Sequence, residues 1–389
     1  MLRNLLIALT GIVVGVFLGI YLLFNTSLFS FGAKNSPAIL INPLSSQKTI
    51  IGFLPYWLLD KANSDYSKNI TTLAYFSLRV DGNGNIQKLL NSQQEEPGWY
   101  ALRLGKLTPF FDNALKNKVT LSLTVASGDI NSIEALISDP VKHAKNLIAD
   151  VNPIMQKYKF SDLNLDIEYT GLASTSARSN FSQFIREVKK ELGKNKTLTV
   201  EISPTDAIKN NLIDPREIGK VADNVVLMAY DYHSTSSFVT GPVAPILGAG
   251  ISSEYDVTSA VEKTLDVVPA IKLILGIPLY GYGWESLSKT PRSAIIPGTG
   301  MAVSNKTAEE LLLSCPTCTV QLDKEANEKY ISSFDADFND YKTIFYPDSV
   351  STQAKINLAN KLELNGLALW ALGYEGDSIL NPLENYIGK

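Results

Sequence analysis

One alternating run, Phe160-Ser-Asp-Leu-Asn-Leu-Asp-Ile-Glu168, holds the residues of this chain best suited to chemistry. Side chains alternate across an extended strand. Leu163, Leu165 and Ile167 therefore share one side, and Asn164, Asp166 and Glu168 the other. Apolar flanking sequence marks a central strand, so the polar side points into an interior. Burying carboxylates is costly unless they share hydrogen bonds and a proton. Each raises the pKa of the other, and a raised carboxyl is what a general acid needs near neutral pH. The competing reading is an edge strand whose polar side is simply solvated.

Holding such groups in place takes a frame, and the chain supplies a repeating one. Short apolar runs at Ile50–Pro55, Ile70–Leu78, Val119–Val125, Phe160–Glu168, Leu198–Ile202, Asn224–Tyr230, Ile271–Tyr280 and Gly366–Leu372 read as strands. Helical patterning falls between them: Trp99–Leu115, Ile130–Tyr158 with a break at Pro140, Ser179–Leu192, Tyr255–Leu265 and Ser351–Leu364. This alternation predicts an α/β fold, a closed (β/α)8 TIM barrel whose parallel strands are buried on both faces. The interval from Trp284 to Ser349 is too long for one crossover. Within it Lys329–Phe334 and Tyr341–Tyr346 alternate around Asp335–Asp340 as a hairpin. We therefore expect a barrel over residues 48–389 with a small α+β insertion at about 285–348, between the seventh and eighth strands.

In such barrels the working residues stand at the C-terminal ends of the strands. The fourth strand offers Asp166 and Glu168, and the sixth offers Met228-Ala-Tyr-Asp-Tyr-His233. The seventh leads into Gly276-Ile-Pro-Leu-Tyr-Gly-Tyr-Gly-Trp284, and the eighth offers Leu369-Trp-Ala-Leu-Gly-Tyr374. Carboxylates above an aromatic floor suit a sugar, whose apolar ring face stacks on indole while its hydroxyls take polar partners. Competing chemistries lack their residues. There is no phosphate-binding glycine loop and no catalytic thiol arrangement. Cys315 and Cys318 read as a local disulfide or two free thiols, since the only histidines, His143 and His233, lie far off in sequence. No metal and no cofactor are expected. The net charge is −4 with scattered Lys and Arg, which leaves no nucleic-acid footprint.

These motifs, in this order, resemble family-18 glycoside hydrolases, the chitinase-like family. The family's strand-four signature, Asp-x-x-Asp-x-Asp-x-Glu, aligns with Ser161, Asn164, Asp166 and Glu168. Its Met-x-Tyr-Asp matches Met228, Tyr230 and Asp231. Its Gly-x-Pro-x-Tyr-Gly matches Gly276 to Gly281, and its strand-eight Trp matches Trp370. The resemblance covers roughly residues 50 to 380. It implies retaining hydrolysis of β-linked N-acetylglucosamine polymers in which the substrate's own acetamido group is the nucleophile, an exception to the two-carboxylate scheme. On that footing Glu168, Asp166 and Tyr230 are catalytic. Asp231, Trp370, Tyr280, Trp284 and Asn164 bind substrate. Asn164 can hydrogen-bond Asp166 but cannot share its proton, so an altered pH dependence is expected. The ending Trp370 to Gly373 is similar to a spore-germination and cell-wall branch, which turns the expected polymer from chitin toward peptidoglycan. The alternative is a lectin-like barrel of the same fold that binds glycan without cutting it.

Several further residues have a structural and a functional reading. His233 supports the Tyr-Asp pair or packs, Tyr280 and Trp284 line a subsite or pack the insertion, Trp57 is subsite or core, Trp99 packs a helix, and Asp129 caps one. At the start of the chain, Leu5 to Phe24 is long enough to span a bilayer, and Arg3 favours a cytoplasmic N-terminus. Residues 1–24 are thus expected to be a transmembrane anchor and 25–47 a tether to a monomeric, extracytoplasmic domain, the alternative being a long signal peptide and secretion.

Overall fold

The computed structural model describes residues 48–386. The expected anchor and tether lie outside the described residues. Among those described, no helix is long and apolar enough to cross a membrane.

The first strands are β1 (Thr49–Pro55), β2 (Thr72–Arg79), the short pair β3 (Leu89–Asn91) and β4 (Gln94–Glu95), and β5 (Thr120–Ser127). Next come β6 (Asp162–Ile167), β7 (Thr197–Ile202), β8 (Asn224–Leu227) and β9 (Leu273–Pro278), and near the end of the chain, after an excursion of five further strands, β15 (Gly366–Trp370). Eight of these close a barrel in the order β1-β15-β9-β8-β7-β6-β5-β2, every neighbouring pair parallel. β6 and β9 are buried along their whole lengths, as strands with a filled barrel on one side and helices on the other must be.

Helices α1 (Pro97–Arg103), α2 (Thr108–Lys116), α3 (Ile130–Ser138), α4 (Pro140–Tyr158), α5 (Thr175–Leu192), α6 (Pro215–Val221) and α7 (Val257–Leu265) link the strands. Their starts are written in sequence. Asp129, Asp139, Ser174 and Asp256 each accept a backbone N–H of the first turn, which satisfies a donor the helix itself cannot. Trp99 sits in α1, half-buried against the core and covered by the Lys88 ammonium.

The excursion between β9 and β15 is a second sheet. It contains β10 (Tyr280–Ser286), β11 (Met301–Ser304), helix α8 (Asn305–Ser314), β12 (Thr319–Asp323), β13 (Glu328–Asp335) and β14 (Asp340–Tyr346). The antiparallel order is β11-β10-β14-β13-β12. Helices α9 (Ser349–Lys361) and α10 (Asn381–Glu384) flank the return to the barrel. The sheet starts at Tyr280, earlier than the expected boundary near 285, because Tyr282 and Trp284 pair with Phe345 and Thr343 rather than with the barrel. Gly281 permits that junction: a Cβ there would lie 1.8 Å from the Phe345 carbonyl oxygen. The sheet is fastened by Glu328, fully buried, which accepts the N–H groups of Val243 (2.7 Å) and Ala244 (3.2 Å). Cys315 and Cys318 form a disulfide after α8.

Candidate active site

The mouth of the barrel is built by short overruns of its strands. β6 ends at Ile167, and the next residue, Glu168, is still anchored by its N–H to the Ser127 carbonyl at 2.8 Å. That bond stands the Glu168 side chain in the open mouth, while Asp166, two residues earlier, stays buried on the inward face. β8 stops at Leu227. Tight turns from Ala229 N–H to the Leu227 carbonyl and from Tyr230 N–H to the Met228 carbonyl, both 2.8 Å, fold Tyr230 over the barrel. Asp231 follows in the left-handed region at φ 61°, which turns its carboxylate toward β10. There its Oδ1 accepts the hydroxyls of Tyr280 and Tyr282, the latter at 2.8 Å.

Asp166, Glu168, Tyr230, Asp231 and Trp370 line one cavity of about 170 Å³, with Phe53, Phe76, Met228 and Glu201 completing it. Its floor is aromatic. The Trp370 ring lies 4.6 Å from Phe76 and 5.7 Å from Phe53, and Trp57 packs edge-on at 5.8 Å from Phe76. Glu168 also borders two flanking hollows. One, of about 310 Å³, is walled by Trp57, Arg79, Gln87 and Asp129; the other, of about 290 Å³, by Thr170, Thr205, Asp206 and Asn211. A groove with Glu168 at its middle thus crosses the barrel face.

The electrostatics follow from burial among acids. Burial raises the Asp166 carboxyl well above its ordinary range, and the neighbouring Glu168 adds to this. Glu168 is raised in turn, by desolvation from the surrounding walls and by Asp231, even though its side chain reaches solvent. Asp231 is raised by burial, offset in part by the two tyrosine hydroxyls. The Tyr230 phenol is pushed far up by burial and by Glu201 and Asp166, so it remains a hydrogen-bond donor. Such an array can protonate a leaving oxygen from Glu168 and can present Asp166 as an acceptor. Asp166 Oδ1 is buried with no partner among the described residues. Among the described residues, no group of His, Cys, Asp and Glu side chains is arranged to hold a metal ion.

Three residues expected to bind substrate are not among those lining the cavity. Trp284 is only 2 % exposed, its indole N–H is donated to the Ser234 carbonyl at 3.2 Å, and it packs on Phe345, so it belongs to the second sheet's interior. Asn164 is wholly buried one layer below Asp166, and its amide donates across to Glu201 at 2.8 Å rather than to Asp166 or the cavity. Tyr280 is also buried, spending its hydroxyl on Asp231. His233 is buried with Nδ1 at 3.0 Å from the Pro242 carbonyl, against Gly241, where any side chain would collide with the ring. Asp129 accepts Ser132 N–H at 2.8 Å as a helix cap and sits at the edge of the groove. Trp57, 46 % exposed, faces the groove.

The sequence reading missed Glu201, Phe53, Phe76 and Arg79. For Glu201 the signal was available: Thr199 and Glu201 alternate with Leu198, Val200 and Ile202 as Asn164 and Asp166 do with theirs. The others looked like ordinary strand residues.

Comparison with known proteins gives the family and the fold. The family described as "Glycosyl hydrolases family 18" matches residues 47–375. The chain is similar to the cortical fragment-lytic enzyme of Bacillus subtilis, with 26 % identity over 81 % of this chain and 67 % of the relative. It is also similar to a class V chitinase of Arabidopsis thaliana, with 27 % identity over 75 % of this chain and 79 % of that one. Among solved structures, an Ostrinia furnacalis group IV chitinase in complex with allosamidin superposes with a TM-score of 0.73 at 22 % identity, covering 87 % of this chain and 97 % of that chain. A Bacillus megaterium spore cortex-lytic enzyme superposes with a TM-score of 0.67 at 21 % identity, covering 88 % and 74 %. At those identities the structural likeness establishes the fold.

Proposed function

The chain belongs to glycosyl hydrolase family 18 and is a glycosidase, and from that premise we propose that it cuts β-linked N-acetylglucosamine polysaccharide, peptidoglycan in preference to chitin, by substrate-assisted retaining hydrolysis. Glu168 gives its proton to the glycosidic oxygen as the bond from that oxygen to the anomeric carbon breaks. The carbonyl oxygen of the substrate's acetamido group bonds to the same carbon and forms an oxazolinium ring. Asp166 accepts the acetamido N–H and offsets the developing positive charge. Tyr230 donates its hydroxyl to the acetamido oxygen, Asp231 takes a sugar hydroxyl, and Trp370 floors the distorted ring. Glu168, now a carboxylate, removes a proton from water. The water oxygen opens the ring at the anomeric carbon, and the β configuration is restored.

One observation carries this reading. Asp166 and Glu168 leave the same strand for one cavity, and Asp166 keeps a buried oxygen, Oδ1, with no partner among the described residues. An acceptor left empty at that cost is accounted for by an N–H that arrives with the substrate. The preference for peptidoglycan draws on the relatives named for cortical fragments and spore cortex, and on Arg79. Its exposed guanidinium in the larger flank can meet an acid-bearing sugar. The work takes place outside the cytoplasm, with Leu5–Phe24 as anchor. Protease treatment of intact cells tests this by removing the barrel from the surface.

The deciding experiment incubates the protein with N-acetylglucosamine oligomers, glucose oligomers of equal length and purified peptidoglycan, and follows the anomeric protons by NMR. We expect β-configured products first, from the N-acetylated substrates alone. Equal cutting of the glucose oligomers, or α-configured products, overturns the mechanism. Binding without cutting makes the protein a lectin.

A further inference from the structure

The barrel interior holds a third acid that the hydrolytic scheme does not use. β7 sends Thr199 and Glu201 inward, and the β6–β7 register pairs Leu165 with Val200. One step further on, Asp166 and Glu201 stand on adjacent strands. Glu201 is 3 % exposed and borders the same cavity as Asp166 and Glu168. Among the described residues, its one hydrogen bond comes from the Asn164 amide, at 2.8 Å. Asn164 occupies the place where the family resemblance calls for an acid, and an amide cannot take up a proton.

Apart from the Asn164 amide, the surroundings of this acid are unfavourable to charge. Asp162, Asp166 and Glu168 face it from β6 and Tyr230 from the segment after β8; none of the groups acting on it is a cation. Among the described residues, Oδ1 of Asp166 and Oδ1 of Asn164 have no partner, and Thr124 Oγ1, opposite Asn164 on β5, is a third such oxygen. Two ionised carboxylates side by side here repel with no counter-charge, whereas one proton between them removes the repulsion.

We propose that Glu201 is a positioning residue that shares a single proton with Asp166, taking over from β7 the part that an acid at position 164 would play from β6. The proposal rests on the roles given above to Asp166 and Glu168. With the groove empty, the O–H is on Asp166. When Asp166 accepts the acetamido N–H, that O–H bond breaks, one forms on Glu201, and the pair keeps its single negative charge throughout. Glu201 thus lets Asp166 be neutral at rest and anionic at the moment the sugar turns cationic.

The test compares the pH profile of kcat/KM on an N-acetylglucosamine oligomer for the parent, Glu201→Gln, and Glu201→Gln combined with Asn164→Asp. In the parent, the first proton lost leaves an anion held by a carboxylic O–H. In Glu201→Gln that donor is only an amide, so Asp166 ionises less readily. The acid limb moves to higher pH, by about one unit for such a loss of hydrogen bonding to the charged form, and kcat falls by roughly tenfold or more while KM changes little. Asn164→Asp in the same chain restores the shared proton, and the limb returns. An acid limb that stays put shows a merely structural glutamate, and one that moves to lower pH shows an ionised one. Either overturns the proposal, as does a double variant that keeps the limb of the single one.

Infrared carboxyl titration separates this from the functional reading. At neutral pH Glu201→Gln has one protonated carboxyl fewer than the parent, whether or not the parent cuts any glycan. No loss of that signal overturns the shared proton even in an active enzyme. A parent that shows the signal but cuts nothing overturns the hydrolase mechanism and leaves the shared proton standing.

Discussion

Strand β6 carries an acid at each end, and both are buried. At the N-terminal end Asp162 is fully engaged: Oδ2 accepts Ser122 Oγ at 2.6 Å, and Oδ1 accepts the hydroxyls of Thr197 at 2.6 Å and Thr199 at 2.9 Å. At the C-terminal end Asp166 Oδ1 has no partner. Burial raises both carboxyls, but only for Asp162 do hydrogen bonds push back. Two acids four residues apart thus do different work. The lower one is saturated and ties three strands together; the upper one is left short for something that comes from outside. An unsatisfied buried oxygen is a better sign of function here than burial or acidity alone.

The sharpest way to break this contrast is to strike one end at a time. Glu168→Gln removes the proton donor of the upper end. Turnover should fall by about 10²–10⁴-fold, with the thermal midpoint unmoved because the side chain stands in the open mouth. Asp162→Ala strands the hydroxyls of Ser122, Thr197 and Thr199. It should cost roughly 3 kcal/mol of stability at about 1 kcal/mol for each bond lost, read by urea denaturation, with turnover per folded molecule preserved. Reversed outcomes, an unfolded Glu168→Gln or an inactive but stable Asp162→Ala, would place the chemistry at the wrong end of the strand.

The indoles repeat the contrast at smaller scale. Trp284→Ala empties a fully packed site and should cost about 3–5 kcal/mol of stability. Trp57→Ala, half exposed on the groove, should leave stability alone and raise KM for long oligomers by up to about tenfold, the equivalent of one aromatic contact. A stable Trp284→Ala with weakened sugar binding would return that residue to the substrate.

How much of this was legible beforehand depends on what a residue needs from other strands. The eight-strand alternation was legible because parallel barrel strands are apolar on both faces, and Asp166 and Glu168 stood out because acids on the inward side of a central strand are costly to bury. Trp284 and Tyr280 read as groove residues because they follow a barrel strand in sequence. Nothing local reveals that Gly281 turns the chain out into a second sheet. Arg79 and Phe76 were missed for the opposite reason: a strand-end Phe-Ser-Leu-Arg is ordinary, and only closure of the barrel brings Phe76 to within 4.6 Å of Trp370. The Asn164 amide was assigned to its neighbour two residues away, while the structure gives it a partner on the next strand, 37 residues on.

The upper end should also leave a mark on stability against pH. Asp166, Glu201 and Glu328 all have carboxyls raised by burial in the folded chain. Above the ordinary carboxylate range the unfolded chain has released these protons and the folded chain still holds them, so stability falls as pH rises. It is fully present below the unfolded pKa and is lost through the folded values. Urea midpoints should therefore decline from mildly acid pH toward neutral, and Glu201→Gln should flatten the slope while Asp162→Asn, at the saturated end, should flatten it less. An equal effect from both would mean that hydrogen bonding does not distinguish the two ends.

The smallest expected effect lies furthest from the acids. Arg79 is exposed in the larger flank of the groove, with Nε 3.8 Å from Oε1 of the buried Glu96, which also caps α1 by accepting Trp99 N–H at 2.7 Å. That arrangement fixes the guanidinium from behind and leaves its outer edge to the groove. An exposed ion pair is worth only about 0.2–1 kcal/mol, so Arg79→Ala should lower kcat/KM on peptidoglycan by no more than about fivefold and leave uncharged N-acetylglucosamine oligomers untouched. The difference between the two substrates should shrink in high salt, because a contact this open is screened over a Debye length. Equal losses on both substrates would make Arg79 a prop for Glu96 and the groove wall. The preference for an acid-bearing glycan would then have to be sought at the other flank, where Asp206 and Asn211 offer no positive charge to hold it.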